Sequence, residues 1–493
     1  MKSGRLLFVL AFLLCLAAPA PALTRYVNLN NSSPTLPYTN WPDAATNIQD
    51  AIDVSSPGDL ILVTNGLYNT GSRTVNDPTP CRVVINNPIT VRSLNGPDGT
   101  VIEGYAIPGS FPWSLDSVRC AYMTNGATLS GFMLTNGSVR ATSYRDLVDN
   151  GGGVWCESTS AVVSNCIIIN CAAYGGGGGH NGSYIDCLIT NCVGHIGGGG
   201  VMLGNLDRCD VIWGTCDNVG GGLYLCNATN CTIIDNLGII GGGVFGGILN
   251  QCTILRNYAA VGGLGGGYGG GVDNCLAYNC IIYDNISEAG GDNFVLGAYT
   301  NCCTTPLPDG AGNFTNAPLL IDALNFPGNF HLQSNSPCIN AGNNTFVSGP
   351  KDLDGRPRIV GPKVDIGAHE FQGTATNDFL TWLWSYHLPT DTSADFADSD
   401  GDGMNNRQEW KTGTIPVDPS SFLHMVSLES LPASVRLGWA SVTNRKYSLE
   451  RSTNLATSPP FTKIGTNIVG QAGTTYFTNS TGAGLFFYRV LVE

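Results

Sequence analysis

Short apolar runs, rich in β-branched residues and closed by a polar residue or glycine, recur through the middle of the chain. Six of them start on cysteine: Cys166-Ile-Ile-Ile-Asn170, Cys187-Leu-Ile-Thr-Asn191, Cys209-Asp-Val-Ile-Trp213, Cys231-Thr-Ile-Ile-Asp235, Cys252-Thr-Ile-Leu-Arg256 and Cys280-Ile-Ile-Tyr-Asp284. The intervals between those cysteines are 21, 22, 22, 21 and 28 residues. Glycine runs keep the same beat, at 151–153, 175–179, 197–200, 220–222, 241–243 and 269–271. Short β-branched runs parted by turn residues are strand chemistry, with no helical period. A fixed repeat of this length predicts stacked coils, because one coil cannot bury its apolar face alone and a stack can. The longest interval holds a glycine-rich insert, 262–268, expected as a loop.

In such a stack every strand pairs in parallel with its equivalent in the next coil, and equivalent side chains lie above one another. The cysteines are then expected as a column of small, buried packing residues rather than as obligatory disulfides. Asn236, Asn257 and Asn285 each follow a column cysteine by five residues and are expected to form an amide ladder at a bend. Parallel crossovers favour the right hand, so the fold class expected is mainly β: a right-handed parallel β-helix.

This stretch resembles the right-handed β-helix proteins of the pectate-lyase-like superfamily. Upstream, Asn47-Ile-Gln-Asp-Ala-Ile52, Gly58-Asp59-Leu-Ile-Leu-Val63 and Gly66-Leu-Tyr68 look like the opening of such a domain, where an amphipathic helix caps the first coil. Ile89-Thr-Val-Arg-Ser93 and Leu129-Ser-Gly-Phe-Met-Leu134 look like early coils. Downstream, Asn329-Phe-His-Leu332, Ser336-Pro-Cys-Ile-Asn-Ala-Gly342, Asp352-Leu-Asp-Gly-Arg-Pro-Arg358 and Val364-Asp-Ile-Gly-Ala-His-Glu-Phe371 resemble the choice-of-anchor Q module of bacterial surface proteins, over about 326–372. That resemblance implies surface display and no reaction. Its carboxylates, Asp352, Asp354, Asp365 and Glu370, are read as holding turns and Arg356 or Arg358 ahead of a metal.

The composition changes after Gly373. Residues 377–388 have a helical apolar pattern that stops at Pro389. Then Asp398-Ser-Asp400-Gly-Asp402-Gly403-Met404-Asn-Asn406-Arg-Gln-Glu409 matches D-x-D-x-D-G-x5-E at every specified position. Asp398, Asp400 and Asp402 offer side-chain oxygens, Met404 its carbonyl, Asn406 the ninth position and Glu409 a bidentate carboxylate, so a bound Ca2+ is expected. The loop resembles those of EF-hand, dockerin and thrombospondin type 3 repeats. Residues 422–493 alternate apolar and polar in short runs and resemble a fibronectin type III-like β-sandwich, with Trp439 and Tyr488 expected in its core. The expected organisation is a signal peptide over 1–22, a β-helix with its terminal module over 23–372, a helix with the calcium loop over 373–421, and the sandwich over 422–493.

Charge and composition narrow the partners. The chain of 493 residues has a net charge of −14, which disfavours nucleic acid and anionic membranes. Met1 to Ala22 read as a secretory leader, and no later run is long and apolar enough to span a membrane. A secreted or bacterial cell-surface protein follows. The 18 cysteines show no spacing with histidine that a zinc finger would need.

The chemistry is sparser than the architecture. Lyases on this fold need a base, and residues 25–350 contain no lysine. Arg119, Arg140, Arg145, Arg208 and Arg256 remain as bases, and nothing selects one. There is no adjacent Asp-Asp pair. The candidate catalytic column is Tyr174, His195 and Asp217, each eight residues after a repeat cysteine and so expected on three adjacent coils. His180 is aligned with Val201, Leu223 and Val244 and read as a packed or exposed turn residue. Tyr174, Tyr184, His195 and Tyr224 are expected on the surface, placed to meet sugars. The reading is a β-helix protein that binds glycans or mediates adhesion through a polysaccharide partner. A polysaccharide lyase or glycoside hydrolase is the alternative, and a structural envelope protein the third.

Overall fold

The structure, a computed structural model, describes residues 22–493 apart from 76–77, 107–115, 141–148, 263–264, 324, 326–327, 373–378, 390–393, 395, 455–460 and 481–483. The leader expected over 1–22 lies outside the described residues but for Ala22, and Arg145 lies outside them too. Two compact units are present: one holds residues up to 331 with 342–358 and 365–370, the other 332–341, 359–364 and 371–493.

The first unit is a right-handed parallel β-helix. One sheet runs in strict coil order through ten strands, from Gly66–Tyr68 to Cys303–Thr304. Its central residues, Ile168, Ile189, Val211, Ile233, Ile254 and Ile282, pair in register from coil to coil and are all buried. From Ile167–Ile169 to Ile281–Tyr283 each short strand is bracketed by two left-handed corners. The residue before each column cysteine, Asn165, Asp186, Arg208, Asn230, Gln251, Asn279 and Asn301, has φ between 48° and 54°. The second corner falls at Asn170, Asn191, Trp213, Asp235, Arg256 and Asp284, with φ between 50° and 56°. Asn and Asp tolerate that conformation better than other side-chain-bearing residues, which explains why they recur around the repeat cysteine.

All seventeen described cysteines are free and buried, as expected for a packing column. Cys187, Cys209 and Cys231 turn their thiols to carbonyls of their own coil, and the main-chain N of Cys209 donates to Cys231 Sγ at 3.4 Å. The asparagine ladder is also present. Asn236 Nδ2 donates to Asn257 Oδ1 and Asn257 Nδ2 to Asn285 Oδ1, both at 2.9 Å, and Asn293 extends the row at 3.0 Å. Cys171 and Cys192 hold the same position in earlier coils, so thiol gives way to amide part-way along the stack.

The glycine runs lie where the chain folds close over the interior. A Cβ on Gly199 would sit 2.4 Å from both Gly221 O and Thr215 N. One on Gly179 would sit 2.0 Å from Tyr184 Oη, so that glycine makes room for a tyrosine inside the coil. Helix Ile48–Asp53, capped by Asn47, buries Ile48, Ala51 and Ile52 beside the first strand, Thr24–Val27. In the last four coils two sheets merge into seven-residue strands, Leu223–Thr229, Val244–Asn250, Val272–Tyr278 and Phe294–Thr300.

Residues 342–358 and 365–370 lie along the flank of the coils. Ala368 N donates to Thr253 Oγ1 at 3.0 Å, Gly367 N to Asn279 O at 2.9 Å and Asn230 Nδ2 to Lys351 O at 3.2 Å. Thr232, Thr253 and Ile281, which point outward from their strands, are buried as a result. Asp352 accepts from the main-chain N of Arg356 and of Glu370, Glu370 accepts from Asp365 N, and Arg358 spends its guanidinium on three carbonyls beside Glu370. Asp352 and Glu370 therefore hold turns and Arg358, as read from sequence, and Asp354 pairs with Arg356 at 3.5 Å as well as meeting two histidines.

The second unit contains two three-stranded antiparallel sheets. One orders Met425–Leu431, Ser434–Ser441 and Gly473–Ser480; the other orders Thr462–Val469, Lys446–Ser452 and Phe487–Val492. Trp439 is fully buried, edge-on to Tyr447 with centroids 5.9 Å apart. Tyr488, expected in the core, is only half-buried and accepts from Asn479, whereas Tyr447 fills the core position. Both lie in alternating strands, and the pattern does not say which of two tyrosines faces inward.

Candidate functional site

Tyr174, His195 and Asp217 stand side by side on three successive coils. A five-stranded parallel sheet, from Val193–Gly194 to Ile286–Ser287, sets their register: Val193 pairs with Thr215 and Gly194 with Cys216, so His195 and Asp217 leave their strands at the same level. His195 Nδ1 and Asp217 Oδ2 are 3.0 Å apart, and the rings of Tyr174 and His195 are 5.5 Å apart, tilted by 44°. The side chains of His195 and Asp217 are 40% and 52% exposed, open to a ligand and to water. Residues spaced by one coil in sequence thus form one polar, aromatic edge.

A second row lies on the outward face of another sheet, the one that holds strands Arg119–Met123, Val154–Cys156 and Gly179–His180. Tyr122, Trp155, His180, Met202, Tyr224 and Phe245 pair in register, with Trp155 5.3 Å from Tyr122 and Tyr224 5.8 Å from Phe245. His180 belongs to this row. The alignment with Val201, Leu223 and Val244 is one residue off, since those pair with Gly179; a one-residue slip turns a side chain to the other face. His180 is buried against Trp155, and burial, followed by the charge of Arg119, pushes its imidazole down to about 4. The surface expectation is wrong for Tyr184, which is interior with none of its surface exposed.

Three of the four described arginine candidates are engaged elsewhere, whereas Arg140 Nε is buried with no hydrogen-bond partner among the described residues. Arg119 is fully buried and donates to Gly151 O and Asn150 O. Arg208 pairs with Asp186 and Asp207, and Arg256 with Asp235 at 2.6 Å beneath the Phe330 ring. A base must give up its proton, and a carboxylate partner holds it on; Asp186 raises Arg208 further above its ordinary range.

In the second unit, Asp398, Asp400 and Asp402 each bring a carboxylate oxygen within 4.8 Å of the other two. Gly401 N and Gly403 N donate to Asp398, and Met404 N to Asp402, which wraps the loop around its own acids. Glu409 rides on helix Asn406–Thr412, which Asn405 and Gln408 cap reciprocally and Gly413 ends at φ 80°. Asp400 Oδ2, Asp402 Oδ2, Glu409 Oε2 and Asn406 Oδ1 are buried with no hydrogen-bond partner. Burial, then the charges of Asp400 and Asp402, push the Glu409 carboxyl up to about 7. Orphaned, converging oxygens of this hardness fit Ca2+.

One cluster was not expected from sequence. His331, Asp354 and His369, from three separate segments of the first unit, bring ligand-type atoms within 4.8 Å of one another. The Asp-Gly turn and the Gly-Ala-His-Glu string drew attention to carboxylates, and nothing in the spacing tied either histidine to Asp354.

Comparison with known families finds no matching model, and comparison with curated proteins finds no relative. Among solved structures, the chain is similar to the pectate lyase Pel9A, with 16% identity, 71% of this chain and 97% of that one covered, and a TM-score of 0.46. It is also similar to a rhamnogalacturonan lyase, at 11% identity over 61% of this chain and 91% of that one, with a TM-score of 0.35. A pectin methylesterase in complex with a hexasaccharide follows at 14% identity, 60% and 94% coverage and a TM-score of 0.33. At these identities the likeness is one of fold.

Proposed function

We propose that this is an exported β-helix protein that binds a linear polysaccharide along its coils, and that its second unit holds one structural Ca2+. The observation that carries the first half is the exposed edge of Tyr174, His195 and Asp217 on consecutive coils. Neighbouring coils lie ~4.8 Å apart, a repeat along which a sugar chain meets an aromatic face, an imidazole and a carboxylate in turn. The engagement of Arg119, Arg208 and Arg256 and the absence of lysine over residues 25–350 favour binding over β-elimination. Calcium would be held by Asp398, Asp400, Asp402, the Met404 carbonyl, Asn406 and Glu409, neutralising acids that otherwise repel. Such an ion supplies charge and cross-linking to the loop and no reaction.

Affinity electrophoresis through gels cast with pectate, alginate or xylan tests the sugar reading. Retardation by one polymer, lost in Tyr174→Ala with His195→Ala, is expected. Migration unchanged in every gel refutes it. The His195–Asp217 pair is also a plausible proton relay for the enzyme alternative, and absorbance of unsaturated uronates released from the same polymers, abolished by His195→Ala, would install that reading instead.

A further inference from the structure

The geometry points to a second metal site, unlike the calcium loop: a first-row divalent transition ion held by His331 Nε2, His369 Nδ1 and the Asp354 carboxylate, tying together three non-repeating segments of the first unit. His331 Nε2 lies 2.7 Å from Asp354 Oδ2, and the two imidazoles stack with centroids 4.0 Å apart. His369 is the telling member. Its side chain is only 9% exposed, and among the described residues Nδ1 makes no regular hydrogen bond, its one polar contact being a long ion pair to Asp354 Oδ1 at 3.4 Å. A buried imidazole nitrogen aimed at a carboxylate without a bond is a group awaiting a partner.

The other histidine is oriented from behind. Its main-chain N donates to Asn329 Oδ1 at 3.2 Å, identifying that atom as an oxygen, and its Nδ1 lies 2.7 Å from the same atom. Nδ1 therefore carries a proton, and Nε2 faces a carboxylate oxygen. Two acceptors cannot share that gap; either a second proton or a cation stands between them. When an ion binds, the Nε2 proton leaves to solvent and the lone pair takes the ion. A metal-bound histidine typically donates its other nitrogen to an oxygen, as Asn329 here accepts.

Two neutral imidazoles and one carboxylate suit Zn2+, Co2+ or Ni2+ and not Ca2+, which wants oxygens alone. The ligands come from the strand end at His331, the Asp354 turn, whose backbone neighbour Lys351 is bonded to Asn230, and the His369 string, bonded to Thr253 through Ala368. Asp210, on the coil itself, feels the Asp354 charge and offers a further carboxylate nearby. The ion would tie these three segments to one another beside the hydrogen bonds that already hold two of them to the coils.

Titration calorimetry of the full chain with ZnCl2, in a buffer with excess CaCl2 to fill the oxygen-rich loop, tests this. One equivalent of Zn2+ is expected, with affinity lowered by more than about tenfold in His369→Gln and in Asp354→Asn. Exposed His387→Gln should leave uptake unchanged. X-ray absorption of the zinc-loaded protein should show imidazole scattering from two histidines, a readout independent of whether either variant folds. No uptake by the wild type, uptake unchanged in His369→Gln, or a spectrum without imidazole overturns the site and leaves a salt-bridged cluster only.

Discussion

Removing calcium should make the second unit sensitive to pH in a direction opposite to ordinary acid denaturation. In the calcium-free loop Glu409 faces Asp398, Asp400 and Asp402, with only Thr414 donating to it, and its carboxyl is pushed up from an ordinary 4.5 to about 7. A folded-state value above the unfolded one means the folded loop binds the proton first. The stabilising effect of that proton is full below 4.5 and is lost as pH rises through 7. The difference corresponds to roughly 3 kcal/mol; water reaching the exposed edge of Asp398 trims it toward about 2 kcal/mol. Calcium acts where the proton no longer does, adding about 2.7 kcal/mol at a hundredfold excess over Kd. Thermal melts in chelator from pH 4.5 to 8 check this. They can be followed by fluorescence, with Trp410 on the capped helix 5.4 Å from Phe379 as reporter. The chelated wild type should lose stability across that range and regain it with Ca2+ at pH 8. Glu409→Gln should flatten the slope and abolish the response. A wild type whose melting ignores Ca2+ at pH 8, or a variant with the same slope, would refute the reasoning.

Three further outcomes follow from the β-helix. His180, held near 4 in the fold, keeps its stabilising effect above 6.5 and loses it as pH falls through 4; His180→Phe should reduce acid sensitivity by roughly 3 kcal/mol relative to wild type, and equal losses in urea titrations at pH 7 and pH 4 would contradict this. Asn257→Ala strands the Asn236 main-chain N without its acceptor, takes the side-chain donor from Ile233 O and Asn285 Oδ1, and leaves Asn236 Nδ2 only Val211 O, so urea titration of the coils should show a loss of about 3 kcal/mol or more, against about 1 kcal/mol for Cys252→Ala. Native protein should resist thiol alkylation until unfolded, since burial lifts thiols such as Cys156 to about 12; cross-coil disulfides found by mass spectrometry under non-reducing, alkylating conditions would reject the packing column.

Much of this was legible before any coordinates. In a parallel stack, residues one coil apart in sequence become neighbours ~4.8 Å apart in space, so periodicity reads directly as contact. That is why the cysteine column, the Asn236–Asn257–Asn285 ladder and the Tyr174–His195–Asp217 edge could be located by counting. The calcium loop is legible for a related reason: its oxygens come from one unbroken stretch of twelve positions, 398–409. Counting failed where a glycine run blurred the register by one residue, sending His180 to the wrong row and hiding the match of Gly179 with Val201. It failed again for Tyr184, which looks like a turn residue until Gly179 is seen to leave it a place inside. What only the tertiary structure decided are the contacts between segments that share no period: the flank packing of residues 342–358 and 365–370, and the meeting of His331, Asp354 and His369. Those depend on where a non-repeating chain folds back, and an aperiodic return carries no count from which its partner can be read.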